Sequence, residues 1–253
     1  MTKLIKKILK LVGIFLIIFF IVIIFASYNH IEDGYNMYKE AISNKSIEDM
    51  VKEVEQKEDY TKIEDIPKIY INSVVAVEDH RFFEHKGIDV IAILSAIALD
   101  FTNKKAVAGG STITQQLCKN VYFTQERTIE RKIAEVFMAH QLEENLTKDK
   151  ILELYINSIF YGNGFYTIKS ASKGYFDVEP INLSKYQATM LAGIPNAPSL
   201  YNPKNSLELA KERQKQVLFA LVKYGYISQD EKEEILNEDI DLSKYEKSEK
   251  ENI

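Results

Sequence analysis

QERTIERKIAEVFMAHQLEEN, residues 125–145, sets the fold class of this chain. Ile129, Ile133, Val136, Phe137 and His140 recur on one stripe, the period of an amphipathic helix, so a helix is predicted from Gln125 to Asn145. Downstream, Thr147 is a good N-cap for a helix from Lys148 to Tyr161, which Gly162-Asn163-Gly164 ends. Further helices are predicted around Thr167 to Tyr175 and Ser184 to Ala192. Pro195 and Pro198 interrupt the pattern, and Leu207 to Tyr224 resumes it until Gly225. Upstream, Ile69, Ile71, Val74, Val75 and Val77 form an apolar run that fits a buried strand or a buried helix equally. Few segments alternate with period two, so the domain is mainly α-helical.

The run GGSTITQQLCKN, residues 109–120, is too polar to serve packing alone. Thr112 and Gln115 fit a capping box, and Gly109 and Gly110 leave backbone N–H groups open at a helix start, a ready anion site. Lys119 follows one turn later. A P-loop is disfavoured, because G-x-x-x-x-G-K-[ST] is absent. Cys118 reads as a small packing residue.

The chain has 253 residues, room for one domain with attachments. Its net charge of -5 gives no case for nucleic acid. A lone cysteine excludes an intrachain disulfide framework, and the four histidines show no HExxH spacing. Residues 11–29 carry no charge; as a helix they would reach roughly 28 Å, close to the thickness of a bilayer core. Lys3, Lys6, Lys7 and Lys10 precede them, so the positive-inside rule puts residues 1–10 in the cytoplasm and the rest of the chain outside. An uncleaved anchor fits better than a signal peptide, because the apolar core is long and Ile24-Phe25-Ala26 is a poor cleavage site. Residues 30–67 are charged and read as a partly helical spacer, 68–225 as the compact domain, and 226–253 as a charged, solvated tail.

Three groups could carry chemistry. Glu78-Asp79 ends the apolar run, and partial burial there would suit a general base as well as it would an ion-paired helix end. Arg127, Arg131 and Glu135 are spaced i, i+4, i+8, with Lys132 beside them. Met138 and Leu142 continue that face, so it is not wholly solvated, and cations beside a half-buried carboxylate suit a phosphorylated substrate. Glu153 and Asn157, four residues apart, fit a structural hydrogen bond and a substrate contact equally.

Together these pieces resemble the bacterial peptidoglycan glycosyltransferases. EDHRFFEHKG (78–87) matches E-D-x-x-F-x-x-H-x-G, which brings in Asp79, Phe82 and His85 as motif-supporting residues with Gly109, Gly110 and Glu153. Residues 109–120 match G-G-S-T-I-T-Q-Q-x-x-K-N, and RKIAE (131–135) matches R-K-x-x-E. ILELYIN (151–157) and AGIPNAPSLYNP (192–203) match the two remaining motifs, in order. Ile156, Thr167 and Asp177 depart from the commoner residues, and none of them is an expected acid, base or phosphate ligand.

The resemblance implies a lysozyme-like α-helical fold with a smaller membrane-associated lobe, and a monofunctional enzyme. It implies that lipid II joins a lipid-linked glycan chain by an inverting, β-1,4-forming displacement that releases undecaprenyl pyrophosphate. Glu78 would be the general base and Glu135 the second catalytic carboxylate, orienting the cations or the phosphate. Ser111, Thr112, Gln115, Gln116, Lys119, Arg127, Arg131, Lys132 and Asn157 would bind sugar and pyrophosphate. A divalent cation (Mg2+ or Mn2+) is a candidate helper with its ligands unassigned, and no organic cofactor is implied. The plasma membrane and other cell-wall synthesis or division proteins are the implied partners. The competing readings are a membrane-tethered lysozyme-like lytic enzyme and an inactive scaffold.

Overall fold

The computed structural model describes residues 3–101, 110–124 and 126–238, and among them every regular element is helical. Helix α1 (Lys3–Asn44) is followed by α2 (Ile47–Glu55), α3 (Lys68–Glu78) and α4 (Val90–Phe101). Next come α5 (Ile113–Tyr122), α6 (Ile129–Asn145), α7 (Lys148–Ile156) and α8 (Ile168–Phe176). The chain closes with α9 (Lys185–Gly193), the short α10 (Pro198–Tyr201), α11 (Leu207–Lys223) and α12 (Gln229–Leu236).

The ambiguous apolar run is a helix, α3, with Tyr70 and Ser73 to Glu78 all buried. It packs against α9 and α11, while α5 packs against α6 and α7, so the carboxyl end of α3 meets the side of α5 within one core. Local sequence sets most helix starts. Ser46, Thr112, Thr128, Thr147, Thr167, Ser184, Ser206 and Ser228 each accept a hydrogen bond from a backbone N–H of the following turn.

Several expected boundaries move. Residues 30–67 are no spacer. Helix α1 runs without a break to Asn44 and lies along α6, where Tyr35 and Tyr38 pack on Phe137 with ring centroids 5.1 and 5.9 Å apart. Met50 and Val54 of α2 and Ile66 are buried in the main core, each worth about 1.5–3 kcal/mol, which a loose tether would forgo. Residues 226–238 likewise belong to the body: α12 buries Ile235, and Tyr186 N–H donates to Glu238 at 3.0 Å. The rest of the expected tail, 239–253, lies outside the described residues. The helix predicted from Gln125 begins at Ile129, because Thr128 takes the cap; Gln125 itself is not described. Helix α7 stops at Ile156, five residues short of Tyr161, where Asn157 becomes its C-cap.

Residues 11–29 lie wholly within α1. Among the described residues no helix is long and apolar enough to cross a membrane; the side chains at 16, 19, 20 and 23–27 are outside that description. Those that are described are exposed, among them Leu11, Val12, Phe15, Ile17, Ile18 and Val22.

Candidate active site

The expected capping box forms at the start of α5: Thr112 Oγ1 accepts from Gln115 N–H at 3.1 Å, and Gln115 Oε1 accepts from Thr112 N–H at 3.1 Å. Thr112 also donates to the Gly87 carbonyl at 2.7 Å. Gly87 has φ +84°, and a Cβ there would lie 3.0 Å from the Ala139 backbone, so glycine is required at this close approach. The anion expected at the α5 N-terminus is an internal one. Asp79, just past the end of α3, accepts from Ile113 N–H and from His85 Nε2, each at 3.0 Å. Phe82 is fully buried, with Lys148 4.3 Å above its ring. Thr112 and Gln115, expected to bind substrate, are thus buried and occupied with the fold, whereas Gly110 and Ser111 stay partly exposed beside them. Gly109 lies outside the described residues.

Glu78, the last residue of α3, is buried with two donors. Gln116 Nε2 donates to Oε2 at 2.9 Å, and Arg213 Nη2 approaches Oε1 at 3.4 Å. The Tyr155 hydroxyl donates to Gln116 Oε1 at 3.2 Å; burial pushes that phenol's pKa up, so it remains a neutral donor and aims the amide nitrogen at Glu78. Gln116 therefore touches the candidate base itself. Arg213, on α11, was missed in the sequence. The available signal was a cation on the apolar stripe of Leu207, Ala210, Val217 and Leu221, where a solvated arginine has no place.

Glu135, on α6, is 2% exposed. Arg131 Nη1 donates to its Oε1 at 2.5 Å and Lys132 Nζ to its Oε2 at 2.9 Å; the same ammonium reaches Ser111 Oγ at 2.7 Å. Glu135 thus ties the 110–112 turn to α6 through Lys132. Arg131 Nε is buried with no hydrogen-bond partner among the described residues. Lys119 is half-buried and has no ion-pair partner among them. Burial pulls its pKa below the ordinary lysine value, and the field of Glu135 opposes that pull. A cavity of about 530 Å³ opens along α6, lined by Arg127, Arg131 and Lys132 together with Ile129, Ile133 and Val136.

Two groups of candidate residues lie apart from the cations that hold Glu135. Arg127 precedes the capped start of α6, so it is not on the Arg131/Glu135 helical stripe; it is exposed and reaches the site only as part of the cavity rim. Asn157 and Glu153 fasten the segment before α3 to α7. Asn157 is fully buried, accepting from Thr61 N–H at 2.9 Å and donating to Thr61 O at 2.7 Å. Glu153 accepts from Ile63 N–H at 2.8 Å, from Lys150 and from the Tyr60 hydroxyl.

Among the described residues no group of three or more His, Cys, Asp or Glu could hold a metal ion. The oxygens of Glu78 and Glu135 face an amide, two guanidinium groups and an ammonium.

A family model described as Transglycosylase matches residues 43–222. The chain belongs to the transglycosylase family. The match begins at the end of α1 and takes in α2, in keeping with their packing on the core rather than with a domain starting at 68. Among similar proteins, penicillin-binding protein 1A of Aquifex aeolicus (strain VF5) is 42% identical over 189 residues, covering 75% of this chain and 26% of its own. Penicillin-binding protein 1A of Neisseria lactamica is 40% identical over 191 residues, covering 76% and 24%. The chain thus spans about a quarter of the length of these curated relatives. A solved penicillin-binding protein 1A from Haemophilus influenzae aligns over 74% of this chain and 18% of its own, at 25% identity and TM-score 0.43. Family membership makes glycosyl transfer the class of chemistry for this transglycosylase.

Proposed function

We propose that this transglycosylase polymerises lipid II on the outer face of the plasma membrane, releasing undecaprenyl pyrophosphate. The observation that carries the reading is spare donor capacity on two cationic side chains, one of which, Arg131, is already paired with the buried Glu135 through its other arm. Lys119 has no ion-pair partner and Arg131 Nε no hydrogen-bond partner among the described residues, and Arg131 lines a cavity rimmed with further cations. A buried cation without a counter-charge is costly, and an anionic ligand relieves that cost. A pyrophosphate fits such a seat, and its isoprenoid tail suits the Ile129/Ile133/Val136 wall.

In this reading the acceptor sugar's 4-hydroxyl attacks C1 of the lipid-linked donor from the face opposite the pyrophosphate. Glu78 takes the hydroxyl proton as the new C–O bond forms. The C1–O bond to pyrophosphate breaks, its electron pair leaves with the phosphate oxygen, and the α-linkage becomes β in one displacement. Lys119, Arg131 and Lys132 bind the charge that grows on the leaving group, which needs no general acid. Glu135 holds Arg131 and Lys132 in place for that task, and Ser111 and Gln116 flank the reacting sugars. Residues 11–29 of α1 span the bilayer with the N-terminal lysines inside. The smaller lobe carrying α4 associates with the outer membrane surface beside the lysozyme-like body, a reading supported by the exposed Val90, Ile91 and Leu94.

Purified protein incubated with lipid II should yield glycan polymer and undecaprenyl pyrophosphate, and Glu78→Gln should abolish both. Undiminished polymer from Glu78→Gln would remove Glu78 from its role. Sugar released from finished glycan would indicate a lytic enzyme, and no product from either substrate a scaffold.

A further inference from the structure

The closing motif, residues 192–203, takes no part in the displacement described above. Its function is visible in what surrounds Arg213. This arginine is 3% exposed, on a helix that packs against both α3 and α9. Its Nε points at the Gly193 carbonyl at 3.4 Å, and its Nη1 donates to Gln216 Oε1 at 2.8 Å. The Tyr201 ring centroid lies 5.8 Å from its Cζ. The remaining arm, Nη2, is directed at Glu78, the only carboxylate within ion-pair distance of it among the described residues. Gly193 makes the seat possible: a Cβ there would lie 2.9 Å from Arg213 Cγ. Two residues of the motif thus shape a slot whose occupant reaches the last residue of α3.

We infer that Arg213 is a positioning residue, seated by Gly193 and Tyr201, which together with Gln116 fixes the Glu78 carboxylate in the orientation that accepts the acceptor-sugar proton. Gln116, from α5, grips one oxygen and Arg213, from α11, the other. With both in place the carboxylate has one orientation; with Arg213 gone it is held at one oxygen only and can turn about its last torsion. A buried carboxylate that has lost its counter-charge also has reason to leave its pocket. The inference rests on the reading of Glu78 as the base.

The test uses the full chain in detergent with lipid II as substrate. Arg213→Met removes the charge and keeps most of the volume. Gly193→Ala keeps the arginine but pushes its side chain out of the slot. Both should lower kcat by about 100-fold, the scale of a 1 Å misplacement of a catalytic group, with KM for lipid II unchanged. Circular dichroism and the melting curve report whether each variant is folded; should Arg213→Met fail to fold, Gly193→Ala carries the test. Wild-type kcat in a folded variant overturns the inference, and so does a raised KM at unchanged kcat, which would make Arg213 a substrate contact. A wild-type protein that makes no polymer overturns the proposed function and this inference with it, whereas active wild type with unaffected variants overturns this inference alone.

Discussion

Gly34 lies where α1 crosses α6, and a Cβ there would stand 2.7 Å from Ile133 Cβ and Cγ2 and 2.8 Å from the Glu130 carbonyl oxygen. Carbon–carbon contacts settle at about 3.5–4.0 Å, so Gly34→Ala must part the two helices by about 0.8 Å or distort α6. Overpacking of this kind costs about 1–3 kcal/mol. Replacing glycine inside a helix returns about 1 kcal/mol, so the alanine variant should lose about 0–2 kcal/mol net. Gly34→Leu has a similar propensity gain and a far larger clash, so it should lose more and separate Tyr35 and Tyr38 from Phe137. Each kcal/mol lowers Tm by about 2–4 °C in a chain of this size. The displaced backbone at Glu130 adjoins Arg131, so lipid II polymerisation should fall alongside stability. Melting in detergent, limited proteolysis across residues 30–44 and polymerisation rate measure the three effects. Were Gly34→Leu as stable and as protease-resistant as wild type, α1 would not pack on α6 at this point, and the spacer reading of residues 30–67 would return.

Lys119→Met should raise Tm at neutral pH while abolishing polymerisation, because it removes a half-buried cation that the fold does not pair; a lowered Tm would show that Lys119 is structural. Since its folded-state pKa is depressed, the charged form is penalised in the native protein, and stability should rise as pH climbs through that pKa toward the unfolded value. Pyrophosphate needs the charged form, so its affinity, followed by calorimetry, should weaken over the same alkaline interval in wild type and lose that dependence in Lys119→Met. Asp79→Asn should cost about 1.5–3 kcal/mol in urea denaturation, since it neutralises the acceptor that holds both Ile113 N–H and His85; an unchanged midpoint would mean that the α5 N-terminus is fixed by its capping box alone.

Helix identity was largely written in periodicity and caps, because both are local. Thr112 and Thr147 cap where their spacing says they should, and Thr167 and Ser184 cap the helices predicted to begin at them. What sequence could not resolve depends on distant partners. The 69–77 run fits strand and helix alike until α9 and α11 are known to cover it. The 30–67 segment looks solvated by composition, yet Met50, Val54 and Ile66 are a minority of residues that carry its packing. Arg127 fails by one cap: i, i+4, i+8 holds only inside a helix, and Thr128 starts the helix after it.

The acidic pair shows why spacing alone could not sort the candidate site. Glu78 and Asp79 are adjacent and alike in charge, and both are buried. Between them the helix ends. Glu78 keeps the α3 direction and faces Gln116 and Arg213, while Asp79, with φ -160° and ψ 73°, turns toward the α5 N-terminus and His85. Asp79 is consumed by backbone and imidazole donors, so it braces the turn that presents Ser111 and Lys119. Glu78 is held by side chains alone. The division extends through 110–120: Thr112 and Gln115 close the cap, whereas Gln116 reaches Glu78 and Ser111 reaches Lys132, the ammonium that Glu135 holds. Polar residues that look redundant in the sequence are two interleaved sets, one that builds the helix start and one that the helix start carries to the cleft.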